Sequence, residues 1–548
     1  MRISKINRDN LHFLIAEVVS QITSLREYFA TASATAAQRI LDRGGYSHNL
    51  KMRIHNSCMK QMAKGKGKGS NIDASSLRAI ESIASDLDQM TEYCRNCVEL
   101  LTRVCDVKCI RTRDFESQLD RIIKGIGRIE RAINKSDTQL ALKIGQIKPG
   151  LDITYLKVQK KYTTRLRRKK HTEAFVSVLL AAHHIQQMGD ALLNISQSII
   201  SANLGQAMNI ERYRSLKASV EQLEMEDSLS DVVVEQIAET RSGSVISAIS
   251  TTDKDDNEKM AIFKDGIKHK LREEREGLKS WHEIFPGLAP RVLSYHKRGQ
   301  SAALLIEHLA GLTFEQILLH ESRPLLQETL GELSATLTSV WKETQSKKAV
   351  SAQYMMQLSK RLDEVYSIHP EFRRMKSKIC GYTVPAFETL LNRAKSLESR
   401  LSAPFSVYIH GDFNVDNIIY DPVEKKINFI DLHRSRYMDY VQDVSVFMVS
   451  MYRLQVLDPP LRRRILEMAT DFYDFAAAYA KRSKDDTFEL RLALGLARSF
   501  ATSTRFILDK SLARTMFLRA RYLLEQVLEA NPKQPKSFKI PVKEIFVG

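Results

Sequence analysis

Between residue 1 and about residue 222 the apolar positions recur at alternating spacings of three and four, the repeat that gathers side chains on one face of an α-helix. One stripe runs Phe115, Leu119, Ile122, Ile126, Ile129 and Ile133. Two others, Leu87-Met90-Cys94-Cys97-Leu101 and Ile185-Met188-Leu192-Ile195-Ile199, share one spacing and lie 98 residues apart. A pattern that returns at a fixed offset predicts a duplicated helical bundle over 1–222. The composition then turns acidic and the period fades, so 223–240 reads as a linker.

From 241 onward, short β-branched and aromatic runs alternate with helical patterns. Strands are expected at 245–250, 260–264, 292–293, 302–307, 407–409, 418–420 and 427–430. Helices are expected at 271–285, through most of 312–403, and at about 441–453, 460–481, 488–508 and 512–530. The chain is therefore expected to be an α+β multidomain protein: an all-α bundle at 1–222 and a mixed domain at 241–548.

With 548 residues, 43% hydrophobic and 27% charged, the chain has the composition of a soluble globular protein. Its formal charge of +18 calls for an anionic partner somewhere, such as phosphate, nucleotide, nucleic acid or an acidic surface. No nucleic-acid recognition module is evident. The first residues mix charge into apolar positions, unlike a secretory signal, and no apolar run reaches membrane-spanning length, so a cytoplasmic location is expected. Six cysteines do not make a secreted disulfide framework.

The chemistry concentrates in 407–443, VYIHGDFNVDNIIYDPVEKKINFIDLHRSRYMDYVQD. A strand ends on the turn His410-Gly411-Asp412. A hairpin then runs from Asn417 to Asp431, which brings those two side chains together. An amide oxygen beside a carboxylate suits Mg2+, and the carboxylate of Asp412, five residues before the amide, is placed to accept a hydroxyl proton. Such parts belong to a phosphoryl-transfer site.

The joint pattern HGDxxxxN and IDxxxxxxxDxxxD resembles the aminoglycoside phosphotransferase and choline kinase group. The resemblance implies a two-lobed kinase-like domain using ATP and Mg2+, with Asn417 and Asp431 as metal ligands. It implies Asp412 as base, His410 beside it in the catalytic turn bracing the loop, and Asp439 and Asp443 holding the following helix. Lys264, at the end of an apolar strand, is where this group keeps the lysine that meets nucleotide phosphates. Glu274 falls on the apolar face of the next helix, where a carboxylate needs a cation, and Lys264 is its expected partner. Glu276 is the alternative, and Glu273 faces solvent. The turn at Ser242 and Ser244 is not a GxGxxG and reads either as one lying over nucleotide phosphates or as an ordinary turn. The segment 304–311 resembles the group's hinge, so backbone at Glu307 and Leu309 is expected to read the adenine edge. The late helices are expected to build a pocket for an unidentified small-molecule hydroxyl acceptor.

The helical half resembles the PhoU family of phosphate-uptake regulators, through the helix HIQQMGDALLNISQSI, its echo near Asp88 and the two-fold repetition. That family binds metal clusters through Glu-x-x-x-Asp pairs. Here the matching positions are Asp88 and Glu92 in one repeat and Gln186 and Asp190 in the other, and the lost carboxylate weakens a metal site. Cys94 and Cys97 lie in an apolar stripe and are expected as core residues, not zinc ligands. The basic loop 64–69 lacks the spacing of a P-loop, and the run Arg165 to Lys170 is expected as a solvated helix face, with a hold on phosphate or an acidic partner as the alternative. Two functional classes follow: a phosphotransferase tied to phosphate homeostasis, with phosphate-signalling proteins as partners, or a non-catalytic nucleotide sensor. The oligomeric state is open, a homodimer included.

Overall fold

The computed structural model describes residues 3–64, 74–102, 113–205, 208–221, 233–239, 245–252, 258–373, 377–379, 382–531 and 534–547. The chain divides into two compact units, Met1–Phe263 and Lys264–Gly548.

In the first unit, helices Lys5–Thr31, Tyr46–Lys64 and Ala74–Thr102 form one bundle. Helices Arg113–Ile126, Ile129–Asn134, Ile147–Leu166 and Thr172–Leu204 form its counterpart. The two repeated stripes meet. Helices Ala74–Thr102 and Thr172–Leu204 run antiparallel, with Ser198 Oγ donating to Ser82 Oγ at 3.2 Å, Asn194 to Asp86 at 3.3 Å, and Cys97 Sγ to the Ala181 carbonyl at 3.5 Å. All ten stripe residues are buried. Burying each large apolar side chain contributes roughly 1.5–3 kcal/mol, so this seam carries much of the bundle. The stripe of Phe115 to Ile133 is buried as well, although it crosses a break between two helices at Gly127. Phe115 stacks on Phe29 at 4.8 Å, tying the two repeats together a second time.

Cys94 and Cys97 are free and fully buried, and burial pushes both thiols well up. Cys105 and Cys109 and the loop at 65–69 lie outside the described residues. Of the acids beside the stripes, Asp88 and Asp190 face lysines, and Glu92 pairs with Arg95. Lys51 Nζ meets Asp88 Oδ2 at 2.5 Å, and Lys148 Nζ meets Asp152 at 2.8 Å and Asp190 at 2.9 Å. Gln186 donates to Asp152 at 2.9 Å. Among the described residues no group of three His, Cys, Asp or Glu side chains is placed to hold a metal ion. Arg167 to Lys170 are exposed, and Arg165 lies over the rings of Tyr162 and Phe175.

Five strands form one sheet in the order β1-β2-β3-β5-β4: β1 Val233–Glu239, β2 Val245–Thr252, β3 Glu258–Ile267, β4 Val292–Arg298 and β5 Ser301–Glu307. β1 falls inside the stretch expected as linker and pairs antiparallel with β2. Its run Val233-Val234 followed by Ile237 gives it strand propensity despite the flanking acids. The division between units falls within β3.

Helix Lys268–Ile284 follows, as expected for 271–285. β6 Leu312–Thr313 leads into helices Phe314–His320, Arg323–Glu343 and Tyr354–Ile368. A small hairpin, β7 Ser377–Ile379 with β8 Tyr382–Val384, and helix Phe387–Glu398 come next. Then come β9 Val407–Ile409, β10 Ile418–Asp421, β11 Lys426–Phe429 and β12 Arg436–Met438. Helix Val441–Tyr452 is buried along its whole length, packed against Pro459–Arg482 and Phe488–Ser503, and Lys510–Glu529 packs in turn on Phe488–Ser503. Among the described residues no helix is long and apolar enough to cross a membrane.

Candidate active site

The hairpin forms in the register its sequence implies: Ile418 faces Phe429 and Asp421 faces Lys426. One step further the Ile430 N–H donates to the Asn417 carbonyl at 3.0 Å. Asn417 and Asp431 therefore stand at neighbouring positions at the open end of the hairpin. β10 also pairs with β6 through Tyr420 and Leu312. This crossing is close: a Cβ on Gly311, whose φ is +112°, would lie 2.2 Å from the Tyr420 carbonyl, so the chain leaving 304–311 is pressed against the hairpin.

Asp412 sits in a turn that depends on its neighbour. Gly411 has φ +83°, and a Cβ there would lie 2.4 Å from the Arg434 carbonyl. The turn is pinned by Asp443, whose carboxylate accepts the N–H groups of His410 at 2.7 Å and Gly411 at 2.9 Å. Burial pushes the Asp443 carboxyl up to about 7 against the pull of those two N–H groups. His410 is buried, with both ring nitrogens committed to backbone: Nε2–H donates to the Ile430 carbonyl at 2.9 Å and Nδ1 accepts the Asp412 N–H at 3.3 Å. Burial holds its pKa below the ordinary imidazole value, which favours this neutral tautomer. His410 thus stitches the turn carrying Asp412 to the strand carrying Asp431.

The Asn417 side-chain amide donates to the Asp412 carbonyl at 2.9 Å, leaving its oxygen as a candidate ligand. Asp431 has φ +61°, an uncommon conformation that short polar side chains tolerate and that recurs at functional turns. Although burial opposes it, Asp431 is held well below the usual carboxylate range by a 2.9 Å hydrogen bond to His433 Nδ1 and by the charges of Lys264 and His433. A second oxygen of Asp431 and the Asn417 amide oxygen are hard donors of the kind Mg2+ takes.

Lys264 and Glu274 form a buried ion pair, exposed to only 7% and 5%. Burial alone would pull the lysine down, but Glu274 and Asp431 outweigh it and hold its pKa above the ordinary value. The pair is anchored to the hairpin through the helix that carries Glu274: Trp281 Nε1 donates to Ser435 Oγ at 2.8 Å, and Ser435 Oγ donates to the His410 carbonyl at 3.2 Å. Trp281 also packs edge-on against Tyr408 and Phe429. Glu276 pairs loosely with Arg272 at the surface, and Glu273 is exposed.

At 304–311 the Glu307 N–H donates to the Arg291 carbonyl at 2.9 Å, and the Glu307 carboxylate pairs with Arg291. The Glu307 N–H and carboxylate are thus both committed to Arg291. Ser242 and Ser244 lie outside the described residues.

Sequence reasoning passed over three features. Arg434 pairs with Asp412 Oδ1 at 3.1 Å, and His433 bonds Asp431; both occupied unassigned positions of the quoted stretch. Asp439 is buried in an ion cluster with Arg491, which also holds Asp485, and Tyr440 donates to Asp485 at 2.8 Å. Arg491 is one of three arginines in the helical pattern of 488–508, and nothing in that pattern sets it apart from Arg498 or Arg505.

Residues 271–482 match the phosphotransferase enzyme family. Among solved structures, the chain is similar to the phosphate transport system regulatory protein PhoU of Streptococcus pneumoniae (14% identity, 37% of this chain and 96% of that one, TM-score 0.34). It is also similar to an aminoglycoside-3'-phosphotransferase of type VIII (16% identity, 52% and 97%, TM-score 0.34). A third similarity is to an ethanolamine kinase of Plasmodium vivax (12% identity, 61% and 92%, TM-score 0.33). No curated protein matches the chain.

Proposed function

From a phosphotransferase-family domain at 271–482 we propose that this chain transfers the γ-phosphoryl group of ATP, with Mg2+, to a hydroxyl of a small molecule. The reading is carried by one juxtaposition: the buried Lys264–Glu274 pair lies within electrostatic reach of Asp431, which shares the end of a hairpin with Asn417 and adjoins the Asp412 turn.

Asn417 and Asp431 would hold Mg2+, which supplies charge neutralisation for the nucleotide phosphates. Lys264 holds phosphate oxygens in an orientation fixed by Glu274. The Glu307 carbonyl and Leu309 N–H receive the adenine edge. Asp412 accepts the proton as the acceptor oxygen bonds to phosphorus. His410 keeps Asp412 in register with Asp431 and exchanges no proton itself, because both its nitrogens are occupied. The duplicated helical half supports a link to phosphate homeostasis in the cytoplasm.

Replacing Asp412 by Asn should lower kcat by roughly 10²–10⁴-fold, the usual weight of a positioned base, while ATP·Mg2+ affinity stays within about threefold. Calorimetric titration alongside ADP release checks both; parent-rate transfer by Asp412→Asn would remove Asp412 from the mechanism. The rival reading, a nucleotide sensor without chemistry, is supported instead if the parent chain binds ATP·Mg2+ and turns over no acceptor from a metabolite pool.

A further inference from the structure

Four arginines gather around Asp412. Arg434 pairs with it directly at 3.1 Å. Arg361 from helix Tyr354–Ile368, Arg498 from helix Phe488–Ser503 and Arg505 just beyond that helix all lie within the field of Asp412 and of Arg434.

Their pairing is incomplete. Arg498 lies over the Tyr354 ring at 5.5 Å and reaches Ser445 Oγ only at 3.5 Å, and its buried Nε has no hydrogen-bond partner. Arg505 meets Glu364 at 3.5 Å, yet its buried Nη1 has none either. Among the described residues Arg361 has no carboxylate at ion-pair distance. Four positive charges thus face Asp412 and Glu364. The other acids near Arg498 are Asp443 and Glu398, and each is committed to backbone N–H groups, those of His410 and Gly411 and those of Tyr354 and Met355. Burial first, then mutual repulsion, pulls Arg498 and Arg505 down to about 10.

Crowded guanidinium groups with buried unpaired nitrogens are costly unless an anion completes them. A structural role explains the stacking of Arg498 on Tyr354 but leaves those nitrogens unused. The guanidinium fork matches phosphate and carboxylate oxygens in geometry as well as charge.

We propose that the acceptor is itself an anion: a small hydroxyl compound carrying a phosphate or carboxylate group, which Arg361, Arg498 and Arg505 receive while Asp412 faces its hydroxyl. The proposal rests on the phosphotransferase reading. In the step, the acceptor oxygen bonds to the γ-phosphorus of ATP and the bond from that phosphorus to the bridging oxygen breaks. ADP leaves with the electron pair, and the hydroxyl proton passes to Asp412.

The test uses the full chain, saturated with ADP and Mg2+ so that the nucleotide phosphate positions are filled. Glycerol 3-phosphate, glycerate, glycerol and choline are titrated calorimetrically as phosphate, carboxylate, neutral and cationic probes. The two anions are expected to bind and the other two not, with the stronger anion identifying the group recognised. Arg361→Gln should weaken anion binding tenfold or more, and Arg361→Lys should recover part of the loss. Arg505→Gln serves as a second variant should Arg361→Gln not fold. Binding of glycerol or choline at least as tight as that of the anions, or parent-like anion affinity in the folded Gln variants, overturns the proposal. A chain that binds no ADP at all fails the phosphotransferase reading, and this inference falls with it, so the two failures are told apart by the nucleotide titration.

Discussion

The carboxyl of Asp443 shows how a single buried group sets conditions for the turn it holds. Its folded-state pKa of about 7 lies above the 3.8 of a free aspartate, so the folded chain binds a proton there that the unfolded chain has already lost. That contribution to stability is therefore full below about pH 4 and declines as pH rises toward 7. Asp443→Asn abolishes the titration. Its thermal midpoint should fall below that of the parent at pH 5, and the gap should narrow by a few degrees at pH 8; a gap that is constant or widens would contradict the assignment. Much of the site at this scale was legible in sequence. Asp412, Asn417 and Asp431 sit in one short stretch whose spacing encodes a hairpin, and Glu274 betrays itself as a charge on an apolar helix face. Arg361, Arg498 and Arg505 were not legible, because arginine on an amphipathic helix is ordinarily a solvated residue and only the fold reveals that they converge. His433 and Arg434 were in plain view, but no spacing rule distinguishes them from other basic residues after a strand.

At the scale of elements, periodicity placed the helices within a few residues. Helix Lys268–Ile284, expected at 271–285, and helix Pro459–Arg482, expected at 460–481, are examples. It did less well where local composition and pairing disagree. β1 looked like linker because acids surround its β-branched run, and pairing with β2 decided the matter. A period of three and four likewise runs unbroken from Phe115 to Ile133 while the backbone breaks at Gly127, since burial constrains which side chains face inward and not whether the helix is continuous. How the last helices are held is testable. Arg491, on helix Phe488–Ser503, neutralises Asp439 at the start of helix Val441–Tyr452 and Asp485 before its own helix, all three buried. Arg491→Met would leave two buried carboxylates facing each other, a loss of roughly 3–5 kcal/mol. A lowered denaturation midpoint that Asp485→Asn partly restores in the double variant is the expected result; an unchanged midpoint would show that the cluster adds nothing.

For the molecule as a whole, the charge of +18 is spread over exposed runs such as Arg167 to Lys170 as well as gathered beside Asp412. Diffuse charge attracts polyanions only through counterion release, which falls steeply with salt. Retention on random-sequence duplex DNA is therefore expected at about 50 mM salt and lost by about 200 mM, and retention at the higher salt would point to a nucleic-acid role after all. The Lys264–Glu274 pair carries a different consequence. In protein kinases a strand lysine and a helix glutamate must be brought together before chemistry begins, and that assembly is a point of control. Here the two form a buried pair, and the helix bearing the glutamate is latched through Trp281 and Ser435 to the turn that bears Asp412. On the proposed phosphotransferase reading this pair would need no assembly step, and control would fall instead on the arrival of nucleotide or acceptor.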